Sequence, residues 1–205
     1  MVRTRDSLHG ALAHLASVEP AFQPVIDRLG LPEPRLSEPG VATLMRTIVG
    51  QQVSVAAARS MWSKLEATYG SPPDLTALLA ASDEELRAIG QSRQKASYLR
   101  SLAGLVLSGE LDLDNLPADD EEAIALLTRI KGVGRWSAEI YLLFAEGRGN
   151  VWPAGDLAVQ IEVGRLLGLE NRPSEKDLRA LAEAWHPHRG AAAVLAWHSY
   201  NSPVI

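Results

Sequence analysis

Cysteine is absent from this 205-residue sequence. Disulfide bonds, zinc sites built from thiolates and four-cysteine iron–sulfur clusters are therefore excluded. No stretch approaches the roughly 20 apolar residues of a membrane-spanning helix, and the N-terminal segment lacks the continuous apolar run of a secretory signal. The histidines lack the spacing of helical metal ligands. We expect a soluble, cytoplasmic protein with no membrane partner and no metal site.

An excess of positive charge is also lacking, because 20 basic residues face 25 acidic ones and the net charge is −5. This balance argues against broad, non-specific binding to nucleic acid. Seven of the acids fall between residues 110 and 122, where no lysine or arginine occurs, and the rest of the chain has 20 basic against 18 acidic residues. The negative charge is therefore local, and a few basic side chains or oriented amides elsewhere can still bind phosphate.

Strand-like alternation of apolar and polar residues is missing as well, and apolar residues recur with helical spacing. The sequence therefore predicts an all-α fold. Capping residues and glycines divide it into about ten helices, and no helix is predicted between Gly70 and Ser82. The predicted helices cover residues 6–18, 20–30, 40–50, 53–69, 82–90, 93–108, 119–130, 135–145, 156–167, 174–185 and 188–200.

Two apolar helical patterns meet at Gly132-Val133-Gly134, one ending at Ile130 and the other beginning at Trp136. We expect both glycines to lie in a turn too tight for side chains, with Val133 anchored in the core. The backbone N–H groups that open the second helix then form a site for an anion such as phosphate. An ordinary helix–turn–helix connection explains the same glycines, so the turn alone leaves both interpretations open.

A single carboxylate follows the hairpin in the segment VWPAGDLAVQ. Asp156 comes after Pro153 and Gly155 and directly before the apolar face of a predicted helix, so we expect it to cap that helix. Capping does not exclude chemistry, because the amides of a helix N-terminus hold a carboxylate ionised and oriented. Asp156 is therefore a candidate for both roles.

Aromatic residues are few, but five of the eleven are tryptophans. We expect Trp62 and Trp185 in the hydrophobic core. Trp136, Trp152 and Trp197 lie in the same part of the sequence as the hairpin and the single carboxylate. Their indoles can form a wall for a flat, electron-poor ligand.

Gln51 and Gln52 interrupt a helical pattern in the segment IVGQQVSVAAA. Their uncharged amides can hydrogen-bond base edges or fill a gap in a base stack. A polar helix start capped by Ser54 explains the same residues. Both interpretations stay open on local sequence.

Four segments, in this order and spacing, resemble the helix–hairpin–helix DNA glycosylase superfamily, and most closely its 3-methyladenine DNA glycosylase II type. These segments are IVGQQVSVAAA at 48–58, IKGVGRWSAEIYLL at 130–143, VWPAGDLAVQ at 151–160 and HPHRGAAAVLAW at 186–197. The resemblance covers about residues 40–200. It implies a bilobed helical fold with a DNA-binding cleft between two lobes. Residues 41–145 would form the central lobe, and residues 1–40 would pack with the C-terminal lobe, residues 146–205.

The resemblance also implies roles for the matching residues. Asp156 matches the catalytic aspartate, and Gln52 matches the side chain that fills the gap left by an extruded base. The base pocket would consist of Trp136, Ile140, Tyr141, Trp152 and Trp197. The DNA contacts would come from Lys95, Gly132, Val133, Gly134, Arg135, Gln51, Gln52 and Ser54.

Trp136 occupies the position where bifunctional relatives carry a lysine nucleophile. The resemblance therefore implies a monofunctional glycosylase that flips alkylated purines, such as 3-methyladenine and 7-methylguanine, out of double-stranded DNA in the bacterial cytoplasm or the eukaryotic nucleus. We expect a monomer and no cofactor beyond a monovalent cation at the hairpin. A mismatch or oxidised-base glycosylase on the same fold, and a DNA-binding protein without enzymatic activity, remain alternatives.

Two features depart from the glycosylase II type. That type has an additional N-terminal α/β domain that contributes a pocket aromatic, whereas about forty residues with a helical pattern stand here in its place. Ile140 occupies the position of a pocket tyrosine, with Tyr141 adjacent. We therefore expect a smaller or more open pocket, which favours methylated bases over bulky neutral lesions.

Overall fold

A computed structural model describes residues 4–202, and these residues form helices and connecting loops without any strand, which confirms the predicted all-α class. The helices are α1 Arg5–Val18, α2 Gln23–Leu29, α3 Val41–Gly50, α4 Val55–Tyr69, α5 Leu75–Ala80, α6 Asp83–Ala88, α7 Arg93–Leu107, α8 Asp120–Leu127, α9 Arg135–Phe144, α10 Leu157–Leu166, α11 Glu175–Leu181 and α12 Arg189–Tyr200. Short 3-10 helices cover Pro20–Phe22 and Ala182–Trp185. Within this range, none of the helices is long and apolar enough to cross a membrane.

The structure differs from the predicted helices in several places. Helix α2 begins at Gln23 and helix α11 ends at Leu181, because 3-10 helices cover Pro20–Phe22 and Ala182–Trp185. Helix α5 was not predicted, because its six residues follow two prolines and are too few for a periodic pattern to show. Asp74 starts this helix by accepting a hydrogen bond from the Ala77 amide at 2.7 Å. Helix α8 ends at Leu127, three residues earlier than predicted, because the chain already turns there toward the hairpin.

The backbone divides into two compact units, of which the first contains the residues up to Ser37 and those from Leu142 onward. Helix α12 packs against both α1 and α10 in this unit. Trp185 is 1% exposed, and its ring centroid lies 5.1 Å from that of Phe22 and 5.4 Å from that of Trp152. The expected core position of Trp185 is confirmed.

The second unit comprises Glu38–Tyr141, so the boundary between the units falls within α9. Helix α3 packs against α4 and α7 here, and α5 also packs against α7. Trp62 is 9% exposed, and the Arg46 guanidinium carbon lies 4.6 Å from its ring centroid. Trp62 is therefore a core residue, as expected.

Candidate functional site

The hairpin between α8 and α9 is anchored by Val133, which is 4% exposed and donates its amide hydrogen to the Ile130 carbonyl at 3.0 Å. Gly132 has a φ of +79°, a conformation that favours glycine. A Cβ atom at this position would lie 2.1 Å from the ring of Tyr98. Gly132 is therefore required by the close approach of a side chain from α7.

Gly134 differs from Gly132, and the expectation of a tight turn at both glycines is wrong at this position. No heavy atom lies within 4 Å of a Cβ atom built on Gly134, and the residue is exposed. Its carbonyl accepts the Ala138 amide at 3.0 Å, so α9 begins here. A side chain at Gly134 would therefore meet open space at the start of α9.

A cavity of about 960 Å³ lies beside the hairpin, entirely within the second unit. The loop after α3, the start of α7 and the start of α9 form its walls. Gln51 connects the loop after α3 to the hairpin, because its side-chain Nε2 donates to the Gly132 carbonyl at 2.8 Å. Trp136 also lines the cavity and is 48% exposed. The cavity thus brings together the glutamine loop after α3, the start of α7 with Lys95, and the hairpin. The resemblance assigns DNA contacts to each of these three segments.

Gln52 stands at the exposed end of the loop between α3 and α4. Its φ of +55° is the one positive value for a non-glycine residue in the described range. Ser54 closes the loop by accepting the Ala57 amide at 3.2 Å, so the expected cap of α4 is confirmed. The loop between two anchored helices holds Gln52 in an unusual backbone conformation and exposes its side chain.

Lys95 does not have the position expected of a phosphate contact. Its side chain is 9% exposed, and its Nζ donates to the Val49 carbonyl at 2.7 Å. Burial lowers the pKa of this ammonium group. Lys95 therefore joins α7 to the end of α3, where helix carbonyls lack partners within the helix, and its ammonium group already has a hydrogen-bond acceptor inside the protein.

Arg135 is likewise engaged within the protein. Its guanidinium makes two hydrogen bonds to the Glu121 carboxylate, and its Nε donates to Glu139 at 2.9 Å. The hydrogen bond to Glu121 and the charge of Glu139 raise the pKa of Arg135 despite partial burial. Two carboxylates thus neutralise the cation that the resemblance assigns to DNA.

Asp156 caps α10, as expected from the sequence. Its Oδ1 accepts the Val159 amide at 3.0 Å and the Trp197 indole Nε1–H at 3.1 Å. The Asp156 amide donates to the Pro153 carbonyl at 3.0 Å, which holds the chain in a turn just before the helix. The carboxylate is half-buried and therefore combines a fixed orientation with access to solvent.

Two of the expected pocket residues have packing roles instead. Trp152 is 3% exposed, and its Nε1 donates to the Leu178 carbonyl at 3.3 Å. The Tyr141 hydroxyl is buried and accepts the Gly40 amide at 2.7 Å. Packing and hydrogen bonding therefore account for both side chains. Ile140 is half-buried.

No group of three or more histidine, aspartate or glutamate side chains in the described part of the chain is arranged to hold a metal ion. The rings of His14 and His188 make an edge contact, with their centroids 5.1 Å apart. Burial, followed by the charge of His14, lowers the pKa of His188. The monovalent cation at the hairpin stays a prediction.

Tyr98 and Ser101 contact the hairpin, which the sequence did not indicate. Tyr98 covers Gly132, and Ser101 Oγ accepts the Lys131 amide at 3.1 Å. Both lie on α7, about thirty positions before the hairpin. Only their three-residue spacing, which places them on one helix face, could have suggested a shared role.

Comparison with known proteins identifies one family. Residues 45–188 match the HhH-GPD superfamily of base excision DNA repair proteins. DNA-3-methyladenine glycosylase 1 of Schizosaccharomyces pombe is 30% identical over 213 residues, which cover 97% of this chain and 92% of that relative. The Bacillus subtilis protein YfjP is 27% identical over 164 residues, and the match covers 76% of this chain but only 57% of YfjP.

A solved structure shares the arrangement of helices. The S. pombe 3-methyladenine DNA glycosylase in complex with abasic DNA superposes with a TM-score of 0.76 at 27% identity. The superposition covers 93% of this chain and 95% of that one.

Proposed function

Because the chain belongs to the HhH-GPD superfamily of base excision DNA repair proteins, we propose that it removes alkylated purines of the 3-methyladenine and 7-methylguanine class from double-stranded DNA. The name of the S. pombe relative, which aligns with nearly the whole chain, supports this substrate class. The abasic DNA in the similar structure supports DNA as the partner. The enzyme acts as a monomer and hydrolyses only the N-glycosidic bond.

The geometry of Asp156 carries this proposal. When the N-glycosidic bond breaks, its electron pair leaves with the base and positive charge develops on the sugar. The Asp156 carboxylate, held at the start of α10, stabilises that oxocarbenium ion and orients a water molecule. The water oxygen then bonds to the anomeric carbon and gives up a proton, which leaves an abasic site and an unbroken strand.

One carboxylate suffices for the substrates proposed. A purine alkylated at N3 or N7 is already cationic, so it departs as a neutral base without protonation by a second acid. The exposed indole of Trp136 would attract such a cation more than a neutral base, by about 1–2 kcal/mol for a well-placed contact. Together these features select for charged lesions rather than for damage in general.

Release of free bases from methylated DNA tests the proposal directly. We expect 3-methyladenine and 7-methylguanine to be excised, and matched duplexes with an oxidised purine or a mismatch to be much poorer substrates. Preference for the oxidised or mismatched duplex would show that the protein is a mismatch or oxidised-base glycosylase instead. Binding without release of any base would assign a non-enzymatic DNA-binding protein.

Trp136→Ala should reduce excision of the two methylated purines while changing affinity for an abasic-site analogue little, because that analogue has no base to stack. Trp136→Phe should keep part of the activity, since a weaker aromatic face remains. Single-turnover excision and fluorescence anisotropy measure the two properties. An equal loss of excision and of abasic-site binding in Trp136→Ala would exclude a stacking role.

Borohydride should not trap a covalent complex between the enzyme and DNA. The position of the lysine nucleophile holds Trp136, so no Schiff base forms there. After base release, the DNA strand should break only when it is treated with alkali. This alkali cleavage is the positive control, because it shows that abasic sites have formed. Efficient trapping would show that another amine attacks the sugar and that the enzyme is bifunctional.

The salt dependence of DNA binding should separate the two lysines near the hairpin. Lys131 is exposed in the hairpin, whereas Lys95 is bonded to the Val49 carbonyl. Lys131→Met should therefore reduce the slope of log K against log salt by about one, and Lys95→Met should leave it unchanged. Lys95→Met should instead lower the free energy of unfolding by about 1–3 kcal/mol, because it leaves the Val49 carbonyl without its donor. A reduced slope in Lys95→Met would restore Lys95 as a phosphate contact.

A further inference from the structure

We propose that Trp197 is a positioning residue for Asp156, whose indole N–H fixes the orientation of the carboxylate. The inference rests on the proposed function in so far as Asp156 is the catalytic group. It replaces the role in base stacking that the sequence suggested for Trp197. Trp136 and Trp197 then perform separate tasks, one toward the base and one toward the carboxylate.

Two of the hydrogen bonds that Asp156 accepts come from different helices. The Val159 amide of α10 lies 3.0 Å from Oδ1, and the Trp197 Nε1 of α12 lies 3.1 Å from the same oxygen. A single donor lets a carboxylate rotate about its Cβ–Cγ bond, whereas a second donor in a different direction defines its plane. Because α10 and α12 pack together, the second donor is held by the fold rather than by the helix that Asp156 caps.

Trp197 itself is fixed by packing. Its side chain is 9% exposed, and its ring centroid lies 5.6 Å from that of Phe144 at an interplanar angle of 38°. Trp136, in contrast, is 48% exposed. A largely covered ring offers little face to a flipped base, but its edge delivers an N–H group to a charged acceptor. Hydrogen bonds to an ionised carboxylate are about twice as strong as bonds between neutral groups.

A second link between the same helices supports the alignment. Ser199 lies two residues after Trp197, and its hydroxyl accepts a hydrogen bond from Arg165 of α10 at 3.2 Å. Arg165 in turn is paired with the buried Glu162 on its own helix. This polar contact fixes α12 against α10 near the residue that supplies the indole.

The indole N–H resonance of Trp197 tests the hydrogen bond without any enzymatic assay. In 15N-labelled protein, the resonance is assigned by its loss in Trp197→Phe. We expect it to move upfield in Asp156→Asn, because a neutral amide oxygen is a weaker acceptor than a carboxylate. The resonance of Trp152, whose N–H donates to the Leu178 carbonyl, should stay in place as the internal reference. An unmoved Trp197 resonance would overturn the proposal.

Kinetics of Trp197→Phe separate positioning from stacking. This variant keeps an aromatic ring and loses the N–H, so we expect kcat for excision of methylated purines to fall about tenfold or more with little change in KM. Trp185→Phe in the same unit is the matched control for loss of packing, and its kcat should be nearly unchanged. A Trp197→Phe enzyme with most of the parental kcat would overturn the inference. If the parent released no methylated base, the proposed function would fail, whereas the resonance would still decide the positioning role.

Discussion

Asparagine in place of Asp156 is expected to abolish base excision and to leave the fold and DNA binding intact. Asparagine is as good an N-cap as aspartate, so the bond from the Val159 amide can be kept. Only the negative charge is lost. That charge stabilises the oxocarbenium ion in the proposed mechanism, and removal of such a stabiliser lowers the rate at least about 100-fold.

Single-turnover release of methylated bases measures this effect, with thermal unfolding and affinity for an abasic-site duplex as the companion measurements. Asp119→Asn is the matched control, because Asp119 caps α8 in the same way, by accepting the Glu122 amide at 2.9 Å. The control should be fully active. Near-normal turnover by Asp156→Asn would reduce Asp156 to a helix cap.

The cap formed by Asp156 could be predicted because it depends on neighbours in the sequence. Pro153 and Gly155 shape the approach, and Val159 supplies the amide three positions later. The bond from Trp197 could not be predicted in the same way, because that residue lies 41 positions away and reaches Asp156 only through the packing of two helices. The cap thus depends on residues close in sequence, whereas the hydrogen bond from Trp197 depends on tertiary packing.

Lys95 and Arg135 illustrate the opposite case. Each basic residue matches a DNA-binding position by resemblance, but each has a partner that only the fold supplies. Val49 lies 46 positions before Lys95, and Glu121 lies 14 positions before Arg135. A basic residue in a motif therefore indicates phosphate binding only when the protein itself leaves its charge unpaired.

Substitutions of the two hairpin glycines should have different effects, because the Tyr98 ring lies against Gly132 and no side chain in the described range lies against Gly134. Gly134→Asp adds a carboxylate in front of the amides that open α9, where a DNA phosphate would approach. Affinity should fall about tenfold or more on damaged and undamaged duplexes alike, since phosphate contacts carry no sequence information. The fold should be unaffected, because no heavy atom lies within 4 Å of a Cβ atom at this position.

Gly134→Ala and Gly132→Ala complete this experiment. Gly134→Ala adds a methyl group without charge, so its loss of affinity should be smaller than that of Gly134→Asp. Gly132→Ala should lower the free energy of unfolding by about 1–3 kcal/mol, because its φ is +79° and its Cβ would lie 2.1 Å from the ring of Tyr98. Anisotropy titrations and thermal unfolding then distinguish a lost phosphate contact from a distorted hairpin. Equal affinity of Gly134→Asp and the parent would exclude phosphate binding by the hairpin, because a carboxylate beside those amides repels a phosphate.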